Sequence, residues 1–194
     1  MNQNIRMIFF VIVLGTITSI LLIGMDILTK DRIIANEEAL LKSAVLSANQ
    51  VSYSFTNIHD VFAEEIEVIT SEGLTLYYHK DSGNISYVFE GGGVWGPIIG
   101  MITLQSDFET IVAISILQQE ETPGLGGIVA DPLYLAKFVG IKMVPTIEIR
   151  KDPAPNKENE VDAITGATRT SSSFERILND NYVLHLDAWN SHNE

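Results

Sequence analysis

The residues from Met7 to Met25 carry no charge and include Phe9, Phe10, Val11, Ile12, Val13, Leu14, Ile20, Leu21, Leu22 and Ile23. A run of about 19 residues, rising about 1.5 Å per residue, reaches roughly 28 Å as a helix, enough for a hydrocarbon core of about 30 Å. The sequence therefore predicts a membrane-spanning helix. A cleaved signal peptide fits less well, because the run is longer than an ordinary apolar core of such a peptide and no small-x-small site follows it. Arg6 and the terminal amine precede the span, whereas Lys30, Arg32 and Lys42 follow it, so the count of basic residues does not fix its orientation.

Beyond the span, residues Lys30 to Ser54 are rich in helix formers. Ile33, Ile34, Leu40, Leu41, Ala44, Val45 and Ala48 make a broad apolar stripe through them. This pattern predicts an amphipathic helix. The expected organisation is an anchor over residues 1–30, the amphipathic helix over 31–55 and a globular domain over 56–194.

Acidic residues are spread through the part after the span, and the formal net charge is -13. Such a surface repels phosphate backbones and anionic headgroups, which argues against nucleic-acid binding. The chain has no cysteine. Thiolate catalysis, disulfides and thiolate-held metals are thereby excluded. His59, His79, His185 and His192 show no spacing that suggests a metal site, and no serine stands in a nucleophile elbow.

The hydrophobic period changes to two further along. Leu74–Tyr78 and Ile85–Phe89 flank the turn residues Lys80 to Asn84, and Ile98–Leu104 and Ile111–Leu117 flank Gln105-Ser106-Asp107. Both read as hairpins of an antiparallel meander. Between them lies Glu90-Gly91-Gly92-Gly93-Val94-Trp95-Gly96-Pro97. A strand pattern rather than a helix follows these glycines, so a nucleotide-phosphate loop is ruled out. The segment reads as a turn presenting Trp95, either as a core anchor or as one wall of a ligand site.

A second glycine-rich segment, Glu120-Glu121-Thr122-Pro123-Gly124-Leu125-Gly126-Gly127, follows the meander. It is either a long turn or a loop whose unhindered backbone lets a flat ring approach. Asp131-Pro132 predicts a capped helix start, and Gly140 its end. Val144 to Arg150 reads as a strand, and Lys151 to Glu160, with Pro153 and Pro155, as a solvated loop. Then comes Val161-Asp162-Ala163-Ile164-Thr165-Gly166-Ala167-Thr168-Arg169-Thr170-Ser171, a glycine-containing turn dense in hydroxyls. Ser172 and Glu175 have capping-box spacing, and Phe174, Ile177, Leu178 and Tyr182 recur at helical intervals. Thr168 is expected just before a helix N-terminus, where a phosphate is stabilised by free N–H groups and the helix dipole. The plain alternative is an ordinary helix cap. The polar residues after Trp189 are expected to fray.

Glu121-Thr122-Pro123-Gly124-Leu125-Gly126-Gly127 followed by Asp162-Ala163-Ile164-Thr165-Gly166-Ala167-Thr168 resembles the FMN-binding domain shared by the G subunit of the Rnf electron-transport complex and the C subunit of the sodium-translocating NADH:quinone reductase. The resemblance covers roughly Gly91 to Ser172. It implies an FMN joined through its phosphate to Thr168, within a motif that also holds Thr165, Gly166 and Ala167. The ring is expected against the loop of Glu121, Thr122, Gly124, Leu125 and Gly126, with Trp95 a candidate wall. A flavin transferase using FAD is implied, with Asp162 in the pattern it recognises. This sequence has Val94 where relatives often carry leucine, and Arg169 adds a positive charge beside Thr168.

The fold expected is α+β: one transmembrane helix, then an antiparallel-sheet FMN-binding domain packed by helices, on the extracytoplasmic (periplasmic) side of the cytoplasmic membrane. The chain length and the wording of the threonine motif resemble the Rnf protein more than the reductase one. The function implied is electron relay through covalent FMN, among the other membrane and peripheral subunits of an ion-translocating ferredoxin:NAD oxidoreductase. The reductase's C subunit and a flavin-bearing, membrane-anchored regulatory domain are the alternatives.

Overall fold

In the computed structural model, which describes residues 3–151 and 156–193, the chain divides into two units, residues 1–40 and 41–194. The first unit is helical throughout its described length. It is part of α1 (Gln3–Ala48), which contains an uncharged stretch long and apolar enough to cross a membrane. Side chains such as Phe9, Phe10, Leu21 and Leu22 stand exposed along it, which is compatible with a membrane anchor.

The apolar residues beyond Lys30 do not share one environment. Ile33, Ile34 and Leu40 are exposed, whereas Ala44, Val45 and Leu46 are buried in the second unit. The helix stops at Ala48, short of Ser54. Val51 N–H bonds back to Leu46 O at 3.0 Å, and Gln50 adopts a positive φ of 57°.

The second unit is built on a five-stranded antiparallel sheet of β1 (Ile66–Ser71), β2 (Leu74–His79), β3 (Ile85–Gly92), β4 (Pro97–Leu104) and β5 (Ile111–Gln118), paired strictly in chain order. Strands β2 to β5 are those expected from the period-two pattern. Strand β1 and the short helix before it, α2 (Ile58–Glu65), are additions. Alternation sends Leu76, Ile85, Tyr87, Phe89, Ile98, Ile102 and Leu104 into the larger core. Met101, with Val88 and Tyr77 packed beside it, faces a smaller core formed with Phe62 of α2 and Val45 and Leu46 of α1.

The larger core is closed by α4 (Thr168–Asn193), which presents Phe174, Ile177, Leu178 and Tyr182 at helical intervals. Strand β3 runs past the end of β2, whose pairing reaches only Leu76↔Tyr87. The exposed edge of β3 is satisfied by α4 instead. Asn181 accepts the Glu90 N–H at 3.3 Å and donates to Glu90 O at 3.0 Å, and Arg176 donates to Gly92 O at 3.1 Å. Gly91 lies so close under Ile177 that a Cβ would meet its Cγ1 at 2.5 Å. Gly91 and Gly92 are thus strand residues under a helix, and only Gly93 to Gly96 form the turn.

Four local expectations are corrected. The helix begins at Thr168 rather than after Ser172, and Glu175 accepts the Ile149 N–H instead of closing a capping box. The strand expected from Val144 is confined to β6 (Glu148–Arg150), since Pro145 has no N–H for a ladder and Asn179 binds both the N–H and the carbonyl of Ile147. Its partner is β7 (Glu160–Asp162), in parallel, so the loop ends before Glu160. Pro153 and Pro155 lie outside the described residues. The described residues beyond Trp189 continue the helix to Asn193 rather than leaving it, and Ser191 bonds Glu72 at 2.8 Å. Asp131 does cap α3 (Pro132–Leu135), accepting the Leu133 N–H, and a 3-10 turn over Ala136–Phe138 continues it toward Gly140.

Candidate functional site

The two glycine-rich segments and the threonine motif meet in one cleft of about 290 Å³. It is lined by Val94 and Trp95 from the turn after β3, by Glu121, Thr122, Leu125 and Gly126 from the loop after β5, and by Gly166 to Thr170 at the start of α4. Trp95 is 71% exposed, so its indole is a wall of the cleft and not a core anchor. Leu125, 47% exposed, stands opposite the backbone of Gly166. Two apolar surfaces therefore face solvent inside a concave site, the arrangement small-ligand sites share.

Each segment is held by its own hydrogen bonds. In the loop, Thr122 O accepts from Leu125 N–H at 3.1 Å and Gly127 N–H at 2.9 Å, and Gly124 supplies the positive φ of 75° that the reversal requires. A 3-10 turn over Gly126–Ala130 follows. Before α4, Ile164 O accepts the Ala167 N–H at 3.1 Å, while Ser171 Oγ accepts the Ile164 N–H at 3.0 Å and donates to Ala167 O at 3.1 Å. Ser171 thus fixes the turn from within, leaving the hydroxyl of Thr168, an exposed residue, at the first position of the helix. N–H groups in a first turn have no partner within their helix, so this end of the cleft favours an anion.

Glu121 joins the segments. It is buried, 4% exposed, and its Oε1 accepts the N–H groups of Val94 at 2.6 Å and Trp95 at 3.3 Å. Its Oε2 accepts the hydroxyl of Thr170, itself buried, at 2.8 Å. A Cβ on Gly126 would lie 2.5 Å from Glu121 Oε2 and 2.6 Å from Thr170 Oγ1. The absent side chain at Gly126 thus makes room for this bond, which differs from the expectation that the glycine admits a ring directly.

Of the residues singled out in the sequence, Trp95, Glu121, Thr122, Leu125, Gly126, Gly166, Ala167 and Thr168 line the cleft. Gly124 shapes the loop without lining it. Thr165 faces a neighbouring hollow with Ile128, Asp131, Tyr134 and Lys137. Asp162 lies outside the cleft, at the end of β7, where Lys137 Nζ donates to it at 3.1 Å and Asn156 at 3.3 Å. Those hydrogen bonds, with the lysine's charge, hold the Asp162 carboxyl below the usual carboxylate range. For Thr170, the tie to Glu121 was not foreseen. Its hydroxyl lay in plain view in the motif, but nothing local signals a partner 49 residues away.

Comparison with known proteins gives these residues a context. Residues 93–182 match the model of the FMN-binding domain family. The chain is 37% identical over 119 residues to the C subunit of the Na(+)-translocating NADH-quinone reductase of Neisseria meningitidis, an alignment covering 56% of this chain and 46% of that protein. It is 35% identical over 112 residues to the corresponding protein of Vibrio vulnificus, covering 53% and 44%. The chain thus spans about half the length of the curated relatives it matches. Among solved structures, Shewanella oneidensis NqrC superposes with a TM-score of 0.67 at 21% identity, covering 76% of this chain and 93% of that one. The C subunit of the Na(+)-translocating NADH-quinone reductase of Parabacteroides distasonis does so with a TM-score of 0.63 at 21% identity, covering 77% and 92%. Residues 93–182 thus match the FMN-binding domain family, and the chain is similar over about half of its length to the C subunits of Na(+)-translocating NADH-quinone reductases.

Proposed function

We propose that this chain carries FMN in phosphodiester linkage to Thr168 and acts as an electron-transfer subunit of a membrane-bound, ion-translocating oxidoreductase. The observation that carries the reading is the position of Thr168, an exposed hydroxyl at the first residue of α4 and at the rim of a cleft within the FMN-binding domain. The residues present fit the group. The helix start suits a phosphate, Arg169 adds a positive charge beside it, and Leu125 and Trp95 offer apolar surface to a flat ring. FMN supplies the redox chemistry when bound, and the polypeptide holds it, tunes it and limits its access to water.

Loading is a group transfer in which Thr168 Oγ1 loses its proton and takes the flavin-side phosphorus of FAD, while the pyrophosphate bond breaks and AMP leaves. Asp162, outside the cleft and exposed, is available to the transferase that would catalyse this step. A covalent bond keeps the cofactor from being lost on the extracytoplasmic side, where we place the domain, with α1 as its anchor in the cytoplasmic membrane.

The relatives favour the class of complex that contains the Na(+)-translocating NADH-quinone reductase. The wording Asp162-Ala163-Ile164-Thr165-Gly166-Ala167-Thr168 favours the second reading, the G subunit of an Rnf-type ferredoxin:NAD complex. Ultraviolet-excited fluorescence on a denaturing gel tests the attachment. Wild type and Thr165→Ser should retain flavin, and Thr168→Val should lose it; retention in Thr168→Val would overturn the assignment. Native purification tests the rest. A multisubunit complex whose electron transfer disappears in Thr168→Val supports the relay, its donor and acceptor distinguish the two complexes, and a protein that purifies alone would favour a regulatory flavoprotein.

A further inference from the structure

We infer that Glu121 is a positioning residue, a latch whose buried carboxylate ties the turn carrying Trp95 to the first turn of α4 and so fixes the indole at the cleft. This deepens the FMN reading, since it explains how one wall of the flavin site is set; the latch itself is argued from the polypeptide alone.

Trp95 needs such a device. A largely exposed indole gains little from burial, so contacts of its own side chain do not hold it in place. Its turn has one internal hydrogen bond, Gly93 N–H to Gly96 O at 2.9 Å. The N–H groups of Val94 and Trp95 both converge instead on Glu121 Oε1. The other oxygen is taken by Thr170, two residues beyond Thr168. One carboxyl group thus accepts from two N–H groups on one segment and from a hydroxyl on the other.

The surrounding backbone leaves room for this side chain from two directions. A Cβ on Gly93 would lie 2.5 Å from Glu121 Oε1, and one on Gly126 the same distance from Oε2. Both glycines thus flank the carboxylate at distances no side chain could share. Aspartate, one methylene shorter, cannot reach Val94 and Thr170 together. Glutamine can, by accepting from the two N–H groups and donating its amide to the Thr170 hydroxyl.

The full chain, prepared without flavin in detergent and labelled with 5-fluorotryptophan, tests the inference. It contains two tryptophans, Trp95 and Trp189, so its 19F spectrum has two signals, and the Trp95 signal is the one missing from Trp95→Phe. Trp189, stacked on Tyr78 and Phe108 in another part of the domain, serves as the internal control of folding. Thr170→Val and Glu121→Ala should shift or broaden the Trp95 signal and leave that of Trp189 in place, whereas Glu121→Gln should restore the wild-type position. Should Glu121→Ala disturb both signals, Thr170→Val and Glu121→Gln decide the matter by themselves. In flavin-loaded protein, flavin emission should rise in Thr170→Val, because the indole is no longer held where it quenches, and stay at the wild-type level in Glu121→Gln. A Trp95 signal unmoved by Thr170→Val, or a Glu121→Gln spectrum no better than that of Glu121→Ala, overturns the latch. Wild type that never takes up flavin would defeat the reading under Proposed function, and the indole signals would still decide for or against the latch.

Discussion

A Cβ placed on Gly166 would lie 3.3 Å from Leu125 Cδ2, and Gly166 itself adopts a φ of 81°. The two residues set the width of the cleft between the loop after β5 and the start of α4. Gly166→Ala meets two penalties: a left-handed backbone costs an L-residue about 1 kcal/mol, and the new methyl presses on Leu125. Chemical denaturation should show that loss of stability, and flavin loading should fall with it. Adding Leu125→Ala should restore part of the loading and none of the backbone cost.

Asn179 on α4 accepts the Ile147 N–H at 3.0 Å and donates to its carbonyl at 2.9 Å, while Glu175 takes the Ile149 N–H. These bonds stand in for the strand pairing that Pro145 prevents. Asn179→Ala leaves both groups of Ile147, a buried residue, without partners and should cost about 2 kcal/mol in an unfolding experiment. Replacing the exposed neighbour, Asp180→Ala, is the control and should change stability little.

His185 stacks on Tyr87 with ring centroids 4.1 Å apart and donates from Nδ1 to Asn181 O at 2.8 Å. Burial pulls its pKa below the usual 6.5, with the carbonyl bond opposing. The unfolded chain therefore binds the proton first, so stability should decline as the pH falls through about 6.5 and level off below the folded pKa. Above that window His185 contributes no slope. His185→Phe, which keeps an aromatic ring on Tyr87, should flatten melting temperature against pH between about 7 and 5.

Asp162→Asn removes the charge that Lys137 and Asn156 address, on a residue largely open to solvent. The effect on melting should be small, as for other exposed ion pairs. If the transferase reads this carboxylate, covalent flavin should be lost although Thr168 is intact. A stable Asp162→Asn protein with full flavin would assign recognition elsewhere.

The strands β2 to β5 were legible because each is amphipathic at period two, and the apolar helix at the start of the chain because its run is long and uncharged. The start of α4 was misplaced. Ser172 and Glu175 carry a local capping signature, but Glu175 is drawn to Ile149, a partner supplied only by the tertiary fold. Likewise β7 is too short to announce itself, and it exists because β6 lies beside it. The motifs on either side of the cleft could be read from the sequence as two separate segments. That Glu121 joins them to a third, through Val94, Trp95 and Thr170, depends on pairings with no sequence period at all.

The order of the meander also bears on when the site can exist during synthesis. Each strand of the sheet pairs with the next in the chain, so the hairpins can form as they emerge. The cleft cannot, because Glu121 waits for Thr170 and β3 waits for Asn181 to cover its edge. Thr168 therefore acquires its surroundings only once α4 has docked on the sheet. A modifying enzyme that requires those surroundings would act on finished domains and pass over nascent ones, making the attached group a record that folding is complete.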